Sequence, residues 1–259
     1  FLSVLGAAND PLAAELWGVT PAGDFEAGKN ILHLPVSPGV FARRKNLPLD
    51  RVQSLLDESR RTLFEYREKR VHPSLDDKIL VSWNGLMIAA LAQASQVLHD
   101  PEYVRMARRA ADALLSRMSR ADGRLLHGSG RGKPGEQAFL EDYAFLVWGL
   151  INLYETSFDS EYLRQALRLN DRMVEDFQDP AGGFFLTAGT ADPLFVRPKD
   201  GFDGALPSGN SVAALNLIRL SRMTGNSTYE DIARKTISAF SSLLNKASTG
   251  FSMMLTAFD

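Results

Sequence analysis

One unit recurs three times without a gap in this chain, beginning at Ser82, Glu141 and Ser208, and that repetition restricts the fold more than any other feature. In each copy a first stretch of helical period puts apolar residues in the same columns: Leu86, Ala89, Leu91 and Ala94; Phe145, Trp148, Leu150 and Leu153; Val212, Leu215, Leu217 and Leu220. A turn follows at Asp100-Pro101, Asp159-Ser160 and Asn226-Ser227, residues whose side chains or fixed φ start helices. The next stretch carries a tyrosine in register, Tyr103, Tyr162 and Tyr229, followed by Ala107, Ala166 and Ala233. The unit is a helix pair.

Within a pair the two members differ in polarity. The first helices, over about 85–98 and 144–157, carry few charges, whereas the second, over about 101–119 and 160–178, show a charged stripe such as Glu161, Arg164 and Arg168. Helices that are apolar nearly all round are buried and striped ones face solvent, so the pairs form an inner and an outer layer. A further amphipathic helix at about 49–70, with Leu55, Leu56, Leu63 and Phe64 opposite Asp57, Glu58, Arg60 and Arg61, reads as the outer member of an earlier pair. Connections within pairs are short. Those from an outer helix to the next inner one, about 71–81, 120–139 and 179–207, are long and must share one rim, where strand signals occur at Gly123–His127, Gly182–Thr187, Leu194–Val196 and Gly250–Leu255. An open superhelix and a closed ring both accommodate such pairs. The ring is favoured because solenoid repeats normally run within roughly 20–50 residues and rarely elaborate one rim with hairpins. The predicted class is therefore all-α, an (α/α)6 toroid with short β-hairpins on one rim, present as about three and a half pairs. The expected organisation is a single domain over 1–259, with a loop-rich entry at 1–47 and helix pairs over 48–259.

Composition excludes several functions. With 29 basic and 31 acidic residues the formal charge is −2, so the basic excess of a phosphate-neutralising nucleic-acid binder is missing. There is no cysteine, which removes disulfides, thiolate nucleophiles and iron–sulfur clusters. The longest apolar stretch, Gly85 to Ala92, falls far short of the roughly 20 residues that cross a bilayer, so no membrane partner is expected. The chain begins at Phe1 without a basic-then-apolar leader, reads as a piece of something longer, and a cytoplasmic location is expected.

Three motifs carry a resemblance: His72-Pro-Ser-Leu-Asp-Asp-Lys-Ile-Leu-Val-Ser-Trp-Asn-Gly-Leu86, Leu140-Glu-Asp-Tyr-Ala-Phe145, and Asp203-Gly-Ala-Leu-Pro-Ser-Gly-Asn-Ser-Val-Ala-Ala214, supported by Trp17–Thr20 and Gly28–His33. The chain resembles the thioredoxin-domain-containing spermatogenesis-associated protein 20 type family over essentially its whole length. The resemblance implies a six-hairpin, glycosidase-like toroid, similar in fold to N-acylglucosamine 2-epimerases, and a thioredoxin-like domain as companion in the full-length chain. That companion and its cysteines are missing here, so no redox role is carried over.

Polar residues gather where inner helices begin: Asp76 and Asp77, Glu141 and Asp142, then Asp203 with Ser208 and Asn210. Glycoside hydrolysis generally wants two facing carboxyls, about 5–5.5 Å apart for retention or about 6.5–9.5 Å for inversion. Asp142 and Asp203 are the leading catalytic candidates and Asp77 the third; helix capping is the competing role, because carboxylates are favoured at helix N-termini. Trp83, Asn84 and Tyr143 at the helix mouth would shape a sugar subsite together with Asp76, Glu141, Ser208 and Asn210, an aromatic face meeting sugar C–H groups. Trp148, two turns into its helix, belongs to the core, and Phe184 lies close to the same rim. His72 and His127 lie in rim loops and are candidate general bases, whereas His99 ends an inner helix at the opposite rim. Arg197 and Lys199 either bind an anionic sugar substituent or pair with Asp200 and Asp203. No metal site and no cofactor are called for. The expected function is a carbohydrate-active domain, hydrolase or epimerase, with a small sugar as ligand; the alternative is a non-catalytic binding toroid beside a thioredoxin-like module.

Overall fold

The computed structural model describes residues 2–5, 10–130, 135–191 and 195–259. They divide into two compact units, Phe1–Leu75 and Asp76–Asp259. The first holds helices α1 (Leu2–Leu5), α2 (Asp10–Leu16), α3 (Pro38–Lys45) and α4 (Leu49–Arg67). Its core is a small cluster of Ala13, Leu16, Phe41, Val52, Leu55 and Leu56. The amphipathic stretch expected at about 49–70 is α4, so the boundary read at 47/48 falls inside this unit.

The second unit contains three helix pairs: α5 (Val81–Leu98) with α6 (Pro101–Arg117), α7 (Leu140–Ser157) with α8 (Ser160–Phe177), and α9 (Gly209–Thr224) with α10 (Ser227–Lys246). Reversal within each pair is built the same way. The residue closing the inner helix, His99, Phe158 or Gly225, takes left-handed φ of 54°, 54° and 73°. The next residue, Asp100, Asp159 or Asn226, caps the outer helix by accepting the backbone N–H of Glu102, Glu161 or Thr228. The tyrosine in register joins outer helices: Tyr162 donates to Asp112 and Tyr229 to Asp171. Burial, with the neighbouring carboxylate, pushes both phenols up to about 12, so they stay protonated donors.

Layering follows the charge pattern. α7 lies between α5 and α9 and buries Phe145, Leu146, Leu150 and Leu153 completely. Glycine sets the spacing of α5 and α7. A Cβ at Gly85 would stand 2.6 Å from Leu146 N and Phe145 C, and one at Gly149 would stand 2.7 Å from Gly85 O. The two backbones touch, which only residues without a side chain permit.

The rim segments repeat as well. Ser119 bridges Leu125 and Gln178 bridges Phe184, at matching positions of successive units. Leu126 N–H donates to Met118 O at 2.8 Å, as Phe185 N–H does to Phe177 O at 2.9 Å. A two-residue ladder joins β1 (Ile79–Leu80) to β2 (Gly128–Ser129). Two strand expectations are corrected. The segment 250–255 is the end of a 3₁₀ turn and helix α11 (Ser252–Phe258), because the Asp203 carboxylate accepts the N–H groups of Met253 and Met254 and so caps a helix start. Leu194 lies outside the described residues, and Phe195 and Val196 are exposed and form no strand.

Inner helices begin earlier than periodicity suggests. The difference moves Trp83, Asn84, Glu141 and Asp142 from the approach loops into first helical turns.

Candidate functional site

Asp142 is the junction of the rim. It sits in the first turn of α7, where its own N–H donates to Phe139 O and its carboxylate accepts Phe139 N–H at 2.8 Å, a reciprocal cap on a helix whose N-cap residue has no polar side chain. Oδ1 also accepts Ser82 N–H at 3.0 Å, fastening the start of α5 to the start of α7, and Oδ2 meets His127 Nδ1 at 2.9 Å. The residue is fully buried. Burial pushes its carboxyl above the ordinary aspartate value, against the opposing pull of Phe139 N–H and His127.

His127 ends the rim segment 123–127. Its carbonyl accepts Val81 N–H at 3.0 Å and its N–H donates to Glu136 O at 2.8 Å, so the backbone is fixed on both sides. The ring stands edge-on to Phe139, and its side chain keeps 25% exposure while its aspartate partner has none. With Nδ1 engaged by the buried Asp142 carboxyl, Nε2 is the ring nitrogen left without a hydrogen-bond partner among the described residues. Next to this pair lies Glu141, partly buried, its carboxyl accepting no hydrogen bond among the described residues. Burial first, then the charge of Asp142, raises its carboxyl above the usual glutamate range.

The other polar candidates hold the rim to the helices. Asp203 accepts Ser208 N–H at 2.8 Å as well as the two α11 amides. Ser208 is the N-cap of α9 and accepts Ser211 N–H. Asn210, fully buried, accepts Phe184 N–H at 2.7 Å and donates to Phe184 O and Asp200 O. Tyr143 does the same for the preceding rim segment, its hydroxyl accepting Leu125 N–H at 2.9 Å while its ring packs on Phe177. Burial raises this phenol too. Asn84 donates to Leu80 O at 2.8 Å.

Trp83 is 61% exposed on the first turn of α5. Asp76 and Asp77 are exposed on the segment leading into β1, where Asp76 accepts Lys78 N–H and faces the Lys78 ammonium at 3.3 Å. His72 belongs to the first unit and is held at the end of α4 by Glu68 O at 3.2 Å. The pairing expected for Arg197 and Lys199 is corrected: Lys199 binds Asp179 at 2.7 Å and Gly182 O, and Arg197 donates to Thr187 O with its guanidinium 4.1 Å from the Phe185 ring centroid. An aromatic face and a nearer carboxylate outcompete Asp200 and Asp203. Sequence alone singles out His127 and Asp142 separately but not together. The signal for their pairing is positional, a rim segment ending in histidine ahead of a helix with an acid in its first turn.

Among the described residues no helix is long and apolar enough to cross a membrane, and no three His, Asp or Glu side chains gather as a metal site would require. Paired helices in two layers, with elaborated connections over the inner N-termini, are the architecture of (α/α)6 toroid glycosidases and epimerases. Solved structures of that kind match it: a GH76 α-mannanase of Bacteroides thetaiotaomicron (TM-score 0.54, 19% identity, 66% of this chain and 47% of that one) and an unsaturated glucuronyl hydrolase of Bacillus sp. GL1 (0.52, 16%, 74% and 56%). A cellobiose 2-epimerase of Spirochaeta thermophila has the same fold (0.51, 19%, 63% and 43%). In sequence the chain resembles spermatogenesis-associated protein 20: it is 35% identical to the Homo sapiens protein over 280 residues, 99% of this chain and 36% of that protein. The Mus musculus protein is 38% identical over 237 residues, 87% of this chain and 30% of that protein. The chain thus spans about a third of the length of the curated relatives it matches. No family model matches it.

Proposed function

We propose that the rim of the second unit is a sugar site working by proton transfer, with His127 as the exchanging group, Asp142 as its positioning partner and Glu141 as the second acid. The carrying observation is the 2.9 Å contact between a fully buried carboxylate and a partly exposed imidazole. An imidazole so oriented takes a proton through Nε2 from the carbon next to an open-chain sugar carbonyl and returns it from the same side, to the adjoining carbon for isomerisation or, once the enediol has rotated to present its opposite face, to the original carbon for epimerisation. Glu141, held protonated to higher pH than a free glutamate, supplies a proton to the carbonyl oxygen. An epimerase or isomerase chemistry is favoured over hydrolysis because both leading acids of the two-carboxylate mechanism, Asp142 and Asp203, are engaged by backbone N–H groups. Trp83 offers the exposed aromatic face for stacking.

The second reading is a non-catalytic sugar-binding toroid acting beside a thioredoxin-like module of the longer protein. It is favoured by the number of rim polar groups that serve to tie loops to helices, Asn210, Ser208 and Asp203 among them. Incubation of glucose, mannose, N-acetylglucosamine and cellobiose in deuterated buffer separates the two. Solvent deuterium at sugar C2, abolished by His127→Gln and strongly slowed by Glu141→Gln, supports proton transfer. Saturable sugar binding without exchange supports the second reading, and absence of both overturns the pair.

A further inference from the structure

The first unit contains a cavity of about 830 Å³ that belongs to none of the rim chemistry. Among the described residues that line it, four are cations, Lys29, Arg60, Arg67 and Arg70, and none is an acid. Arg60 and Arg67 reach carboxylates only at 3.7 Å, on Asp57 and Glu68, and Lys29 and Arg70 have no ion-pair partner among the described residues. In a chain of net charge −2, four positive groups around one hollow are a local arrangement rather than a reflection of composition.

Aromatic surface is interleaved with the charge. Arg60, Leu63, Phe64 and Arg67 follow one another down one face of α4. Arg67 lies over the Phe64 ring at 5.3 Å and Arg70 over Tyr66 at 5.4 Å, with both rings about half exposed. The opposite wall is fixed before any ligand arrives. Trp17 Nε1 donates to Ser59 Oγ at 2.8 Å, and Asn30 and Thr20 exchange two hydrogen bonds. Lys29 closes a tight loop in which its carbonyl accepts the N–H groups of Asp24 and Phe25.

We infer that this cavity binds a small phosphorylated molecule with a planar ring, of the nucleotide type. Guanidinium forks match phosphate oxygens two at a time. Rings already paired with guanidinium offer a stacking surface for a flat heterocycle. The volume falls within the range of about 300–1,000 Å³ that small-molecule sites occupy. Neither the sugar reading nor its failure bears on this site, because no residue is shared.

Calorimetric titration of the 259-residue chain with ADP, pyrophosphate and adenosine tests it. ADP is expected to bind saturably, at least tenfold more tightly than either fragment, and to weaken as salt is raised. The double variant Arg67→Gln with Arg70→Gln is expected to weaken ADP by about tenfold or more, since hydrogen bonds to charged groups carry most of such contacts. Lys29→Gln, on the other wall, should weaken it several-fold with an unchanged urea midpoint. Lack of saturable ADP binding, ADP no tighter than pyrophosphate, or affinity indifferent to both variants would overturn the inference.

Discussion

Replacing Gly85 by alanine sets two ordinary effects against each other. Alanine in a helix interior is favoured over glycine by about 1 kcal/mol, so propensity alone predicts a stabler protein. The new methyl would stand 2.6 Å from Leu146 N and Phe145 C, far inside the optimum of about 3.5–4.0 Å, and its neighbours are backbone atoms that cannot rotate aside. Helices α5 and α7 must then separate along a seam that also holds Ile88 and Gly149. Overpacking of a core costs about 1–3 kcal/mol, and backbone neighbours at 2.6 Å place this site at the upper end, so after the propensity gain the net loss is about 2 kcal/mol. With a slope of about 2 kcal/mol per molar urea, the midpoint falls by about 1 M. Trp83 and Trp148 lie on the two affected helices, so fluorescence reports the transition. Amide exchange in α5 and α7 should quicken in parallel. Gly39→Ala provides the contrast: nothing lies within 4 Å of its Cβ, and the first unit should gain up to about 1 kcal/mol. A Gly85→Ala protein that unfolds at the parent's midpoint or above, with exchange in both helices unchanged, would refute the contact argument.

Three further outcomes are expected. Arg124→Met leaves the Asp176 carboxylate, which Arg124 binds at 2.9 and 3.0 Å, buried without its counter-charge, and should destabilise by about 3 kcal/mol in urea titration. Asn210→Ala strips partners from Phe184 N–H, Phe184 O and Asp200 O, and should cost about 2–4 kcal/mol, with amide exchange quickening first around 182–187. Glu141 has a raised folded pKa, so its contribution is fully present below the unfolded value near 4.5 and is lost as pH rises through the higher folded value. Glu141→Gln should therefore be stabler than the parent at neutral pH, with the gain shrinking in acid; urea midpoints across that range check it, and a constant difference would contradict the assignment.

Helix pairs were legible because their information is local. The 3.6 period of α7, the polar caps Asp100, Asp159 and Asn226, and the tyrosines in register all lie within a few residues of what they determine. The starts of α5 and α7 were not. Their N-cap residues are Leu80 and Phe139, which have no capping side chain, and for α7 the capping acid comes three residues later. The helix at 252–258 escaped for a related reason: its cap, Asp203, is about fifty residues away in sequence. At the site, residue types were readable and their partners were not, since Asn210, Tyr143 and Asp203 act through contacts that only the assembled rim creates. The cationic hollow was invisible for the same cause. The basic run at Arg43–Lys45 catches the eye, while Lys29, Arg60, Arg67 and Arg70 converge only after folding.

The left-handed residue and the Asx cap that follows it confine each chain reversal to two adjacent positions. A hairpin whose bend is so specified closes over a short loop, at little entropic cost, before any distant surface has arrived. Each pair can accordingly take shape as the ribosome delivers it and wait for the next to dock against its flank. Growth of such an assembly by copying one hairpin, rather than by redesigning a whole core, is the natural consequence.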